Sequence, residues 1–319
     1  MTGQHLSQPG TDQSGDIKSG TARAWREVAG AAHVNLLYSG DVYGEVQDWI
    51  DQALHVERHK PETFKAAPSK HIPLLVLALC LVLASLIAKI VPCRADECGS
   101  LFANWSRPVI VFGCGIPCGA VLMTYYTPLG FLHLKEGEVL ASLVFSTGLF
   151  SLLFFMLLER RRTIPKLKST LEDALVALAT FSILYSCLVF AVGREFYQLE
   201  LHFAHTGRIM AFAITAICSL PFFLMAERLL RYVQSLFRGF FYGIIVSMIV
   251  AVAFYAVFVL SMVLVSGGLF RFTDALLAVV GYCSLVGGIF YRARRSIIPG
   301  AVFTSLVVAW VISVGFIYY

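Results

Sequence analysis

The sequence predicts an all-α integral membrane protein with seven or eight transmembrane helices, preceded by a short α/β tail. Three observations carry that reading. First, 58% of the 319 residues are hydrophobic and only 14% are charged, with a mean hydropathy of +0.74. A soluble domain holds about 45–50% apolar and about 25% charged residues, so the surplus must face lipid. Second, the apolar residues gather after position 71 into runs that match the ~20 residues a helix needs to cross ~30 Å of hydrocarbon. Third, these runs neither alternate nor stop at the ~10 residues of a membrane-barrel strand. Lipid offers backbone N–H and C=O groups no partners, so runs of this length are helices.

Residues 1–23 are rich in Ser, Gln, Gly, Thr and Asp and are expected to be disordered. They hold no basic start followed by an apolar core, so no signal peptide is read there. Residues 24–57 read as a strand near Trp25 to Ala29, a loop from Gly30 to Gly40, and an amphipathic helix from Tyr43 to Val56. On that helix Val42, Val46, Ile50 and Leu54 recur every fourth residue, joined by Trp49 and Ala53, with Asp41 as N-cap. Residues 58–71 are a linker, and 72–319 form the polytopic domain.

The apolar runs lie at 72–92, 107–126, 138–158, 173–192, 208–226, 239–265, 273–291 and 297–318. The second contains Gly115 and Gly119 in a G-x-x-x-G, which lets another backbone approach closely, and Pro117, which should kink it. Pro221 is expected to break the fifth run, and Pro299-Gly300 to loosen the start of the eighth. Gly281, Gly287 and Gly288 mark the seventh. Close packing accounts for these residues; a broken helix lining a substrate site is the other reading. With no Asp or Glu expected to be buried within the runs, a proton-coupled pump is disfavoured. Lys89, near the end of the first run, is expected to snorkel.

The net charge of +5 and pI near 8.8 come from basic residues scattered between apolar runs. That scatter excludes a nucleic-acid partner and points to the bilayer itself, with the positive loops meeting anionic lipid. Arg160, Arg161, Arg162, Lys166 and Lys168 follow the third run. Arg228, Arg231 and Arg238 follow the fifth, and Arg292, Arg294 and Arg295 the seventh. The positive-inside rule puts these three loops in the cytoplasm. The expected location is the plasma membrane, multi-pass. Arg58, Lys60, Lys65 and Lys70 before the first run argue the other way for the N-terminus. Seven spans would reconcile every loop if the second run failed to cross; eight would place both termini outside.

Among the eight cysteines, Cys80, Cys114, Cys187, Cys218 and Cys283 read as small packing residues. Cys118 joins Cys114 in one run, and Cys93 and Cys98 bracket a polar loop that an oxidising compartment would let them close. Glu200, His202 and His205 either gather a metal or belong to an interfacial helix with an aromatic belt. Neither a metal nor a cofactor is expected, since no Walker motif, H-E-x-x-H or G-x-G-x-x-G after a strand occurs.

Gly30-Ala31-Ala32-His33, followed by Trp49-Ile50-Asp51-Gln52-Ala53-Leu54, resembles the C-terminal end of an α/β-hydrolase domain. In that family the last strand runs into a G-A-x-H loop and a final helix. The resemblance implies that His33 is the catalytic base of a serine triad, acting on an ester, amide or acyl substrate. Asp12 or Asp16 would stand for its acid. No G-x-S-x-G nucleophile elbow occurs, and the preceding sheet is missing. The chain is therefore expected to be an N-terminally truncated, inactive membrane domain of a membrane-linked serine hydrolase. The competing expectations are a transporter-like or scaffolding membrane protein without enzymatic activity, and a strand–loop–helix of unrelated origin.

Single cysteines placed at Gly10, Glu97 and Ile164 in a cysteine-free chain separate the two topologies. Eight spans require Glu97→Cys and Ile164→Cys to label from the same face of sealed membranes, and opposite faces establish seven.

Overall fold

The computed structural model describes residues 11–14, 23–26, 46, 49–51, 71–90, 106–134, 137–158, 167–190, 206–237, 240–266 and 273–315. The chain divides into two compact units, Met1–Ile72 and Pro73–Tyr319.

In the first unit, β1 (Thr11–Ser14) pairs antiparallel with β2 (Arg23–Arg26), with Asp12 opposite Trp25. Composition alone predicts disorder across 1–23, but β1 gains a ladder from the chain that returns at Arg23. Val46 and residues 49–51 are helical, within the helix expected from Tyr43 to Val56. Val46 and Ile50, expected on its packed face, are 52% and 41% exposed.

The second unit is helical. Its elements are α1 (His71–Ile90), α2 (Ser106–Tyr125), α3 (Gly137–Leu158), α4 (Leu167–Leu188), α5 (Thr206–Leu236), α6 (Phe240–Ser266), α7 (Thr273–Arg294) and α8 (Ile298–Gly315). A single 3-10 turn, Gly130–Leu132, lies between α2 and α3. Among the described residues three helices are long and apolar enough to cross a membrane: Gly137–Leu158, Thr170–Leu188 and Thr206–Leu236.

The helices fall where the apolar runs place them, with one consequential exception. α5 does not stop at 226; it continues to Leu236. Its 31 residues extend about 46 Å at 1.5 Å per residue. Pro221 and Pro117 lie inside continuous helices rather than breaking them. A helix stays continuous through a proline when neighbouring helices hold the flanking residues. Around Pro221 they do: Phe222 and Phe223 are buried in an aromatic cluster with Phe112, Phe254 and Tyr255. Pro299 falls in the first turn of α8, where its missing N–H costs no helical hydrogen bond.

Glycine sets the distance between helices. A Cβ on Gly119 would lie 2.8 Å from the backbone nitrogen of Thr147, and one on Gly115 would strike Ser151. The pairing of 115 with 151 and 119 with 147 shows that α2 and α3 run antiparallel. A Cβ on Gly148 would stand 2.5 Å from the backbone nitrogen of Phe222, so α3 and α5 touch main chain to main chain. α1 packs through a stripe of Val76, Cys80, Ala84 and Ala88, all buried, and the Tyr282 hydroxyl of α7 donates to the Leu77 carbonyl at 3.3 Å.

Among the described residues two other than glycine have positive φ: His133 at 54° and Arg295 at 53°. Arg295 ends α7, its N–H donating to the Tyr291 carbonyl at 2.8 Å. That is the position where a helix terminus favours glycine, and a side chain there costs about 1 kcal/mol.

Gly148→Ala is expected to destabilise the bundle by about 1–3 kcal/mol through overpacking. Gly113→Ala, whose Cβ meets nothing within 4 Å, should be neutral or gain up to about 1 kcal/mol of helix propensity. Thermal unfolding of the two variants in detergent checks the contrast.

Candidate functional site

Among the described residues the largest fully buried side chain is that of Arg231, at 0% exposure. It lies on α5 one turn beyond Glu227, which is 3% exposed. Arg231 Nε donates to Glu227 Oε2 at 2.9 Å, and Nη2 donates to the Ser284 carbonyl of α7 at 3.1 Å. Nη1 donates to Gln234 Oε1 on the next turn of α5. Nη2 also reaches Glu227 Oε1 at 3.5 Å. The guanidinium fork thus spends its donors on one carboxylate, one amide and one main-chain carbonyl, as a charge withdrawn from water requires.

Three glycines make room for the pair. A Cβ on Gly287 would lie 2.6 Å from Glu227 Oε1, and one on Gly300 2.7 Å from Oε2. A Cβ on Gly288 would lie 2.8 Å from Arg231 Nη1. Gly287 and Gly288 belong to α7, and Gly300 to the first turn of α8. The carboxylate therefore rests against the first turn of α8. Glycines that read as packing marks in the sequence are the walls of a charge clasp.

The clasp heads a polar line along the α5–α8 interface. Ser219 and Ser305 hydrogen-bond at 2.8 Å, and Ser305 also donates to the Ala216 carbonyl. Further along, Arg208 Nη1 donates to the carbonyls of Ser313 at 3.1 Å and Val314 at 3.0 Å. Those carbonyls lie in the last described turn of α8. Positions 208, 219 and 227 of α5 meet 313, 305 and 300 of α8, which makes the two helices antiparallel.

A second buried ion pair joins Asp173, near the start of α4, to Arg294, the last residue of α7. It lies at the same end of the bundle as the clasp, since α8 begins just after α7 ends. Arg228, between the clasp residues on α5, stands 4.2 Å from the centre of the Phe155 ring of α3, a cation–π contact.

These groups correct the expectation that the helices hold no buried acid. Glu227 and Asp173 are both buried. Hydropathy ended the fifth run at 226 and so assigned Glu227 and Arg231 to a loop, because an unpaired charge ends an apolar window. The i, i+4 spacing of Glu and Arg was the available signal. His33, the predicted base, lies outside the described residues, as do Asp16, Cys93, Cys98, Glu200, His202 and His205. Asp12 is on β1. The six described cysteines are free thiols. Among the described residues no three His, Cys, Asp or Glu side chains gather as metal ligands. No protein family, curated protein or solved structure matches the chain.

Both carboxylate oxygens of Glu227 are engaged and glycine main chain closes over them, so the group is built as a counter-ion rather than as an acid–base catalyst. Glu227→Met or Arg231→Met alone should each cost about 3–5 kcal/mol by stranding the remaining charge. Glu227→Met with Arg231→Met should cost clearly less than the sum. A double-mutant cycle of unfolding free energies reads the coupling, and strict additivity would dismiss the clasp.

Proposed function

We propose that the chain is a multi-pass protein of the plasma membrane in which α1 to α8 all cross the bilayer, and that this bundle is the membrane domain of a serine hydrolase of the α/β-hydrolase type. The observation that carries the membrane half is inverted polarity. Leu75, Ile90 and Ile217 are 71%, 78% and 72% exposed, while Glu227, Arg231 and Asp173 are at most 4% exposed. Water would reverse that arrangement; lipid rewards it. Eight helices of 18 to 31 residues supply lengths of about 27 Å or more. The Gly- and Pro-rich α2 is helical over all 20 of its residues, which supports eight crossings over seven. Eight alternating crossings keep the basic loops after α3, α5 and α7 on one side.

The hydrolase half rests on Gly30-Ala31-Ala32-His33 and on the Trp49-to-Leu54 pattern, of which residues 49–51 are helical. In this reading His33 is the base, the substrate is an apolar or acyl compound, and the bundle anchors the reaction at the bilayer where such substrates reside. The reading assigns no nucleophile to these residues, because no G-x-S-x-G occurs among them.

A transporter-like protein is the second reading, favoured by buried charge inside the bundle. Against it stands the placement of that charge. Glu227 meets Gly300 in the first turn of α8, and Asp173 meets Arg294 at the last residue of α7. The Asp173–Arg294 pair sits at helix ends, away from the midplane where transported solutes bind, and the donors of Arg231, which reaches Ser284 half-way along α7, are committed to protein acceptors.

Alkaline carbonate extraction of native membranes should leave the chain in the pellet, and its release would refute the membrane half. A fluorophosphonate probe applied to the native membranes tests the other half. Labelling of a species containing these residues, lost in His33→Ala, is the expected result; an unlabelled species rejects the hydrolase.

A further inference from the structure

We infer that the α7–α8 turn is a binding site for the phosphate headgroup of an anionic lipid, with Arg295 as its principal contact and Arg292 beside it. The inference rests on the membrane reading above and assigns that reading a specific lipid partner. Three observations converge on the turn.

The first is backbone geometry. Arg295 holds φ at 53°, a left-handed conformation that residues other than glycine rarely adopt. The chain keeps a long cationic side chain where the helix terminus favours glycine. The second is exposure. Arg292 and Arg295 are exposed, whereas Arg294 between them is buried and committed to Asp173. The turn therefore buries one of its three arginines and leaves two at the surface. The third is level. The turn joins the end of α7 to the start of α8 on the side whose loops carry the positive excess, so exposed guanidinium groups there stand at headgroup height. Guanidinium matches phosphate oxygens in geometry as well as in charge, and the leaflet facing positive loops is the anionic one.

The left-handed position supplies a discriminating variant. Arg295→Gly removes the guanidinium while favouring the backbone conformation. The full chain is reconstituted in nanodiscs of phosphatidylcholine, with or without phosphatidylglycerol, and its unfolding midpoint is measured in each. The expected result has two parts. In pure phosphatidylcholine Arg295→Gly unfolds at the wild-type midpoint or above. The extra stability that phosphatidylglycerol gives the wild type falls by at least half in Arg295→Gly, and nearly vanishes in Arg292→Gln/Arg295→Gln. The double variant also serves if the glycine variant cannot be recovered folded. Raising salt should shrink the wild-type gain, as screening of exposed charge requires.

An undiminished phosphatidylglycerol gain in both variants overturns the inference. So does a wild-type midpoint raised equally by inorganic phosphate in pure phosphatidylcholine, which would mark a free-anion site. Release of the chain by carbonate refutes the membrane reading itself, whereas a retained chain without lipid preference sinks only this inference.

Discussion

The bundle is organised around the need to neutralise Arg231 away from water. A guanidinium withdrawn from solvent must find charge and hydrogen bonds in the protein. Glu227 supplies the charge, and Gln234 and the Ser284 carbonyl take the remaining donors. Everything nearby follows from that demand. Gly287, Gly288 and Gly300 are glycine because a methyl group would collide with the ion pair. α7 and α8 can approach α5 so closely only because those positions are bare, which sets the carboxylate against the start of α8. Arg208 meets the far end of the same helix, donating to the carbonyls of Ser313 and Val314.

Much of this architecture was legible in the chain. Runs of bilayer length located the helices, because burial in lipid imposes both a length and an absence of charge. Gly115 and Gly119 announced a close approach, which Thr147 and Ser151 of α3 complete. What could not be read was the true end of α5. A charge at 227 looks like an exit from the membrane unless its partner is known, and the partner's walls lie 60 residues and more further along, at Gly287 and Gly300. Pro221 misled for a related reason: its flanking phenylalanines are held by α2 and α6, contacts no local rule contains.

The candidate triad base was legible only as a resemblance. A histidine in a G-A-x-H loop gains meaning from a serine and an acid brought near it by tertiary structure. His33 lies outside the described residues, so its role rests on pattern. The charge clasp shows the opposite case. Nothing in its sequence names a function, yet its geometry is specified atom by atom.

The antiparallel seam between α5 and α8 is pinned at three heights, by Arg208 on Ser313 and Val314, by Ser219 on Ser305, and by Glu227 against Gly300. A slip of one helical turn, about 5.4 Å, would break the hydrogen bonds of Arg208 and of Ser219 with α8 at once and bring a residue other than Gly300 against the Glu227 carboxylate. The seam therefore behaves as a stator. The contacts of α1 are of another kind, a stripe of small side chains and the Tyr282 hydroxyl, which fix no comparable set of heights.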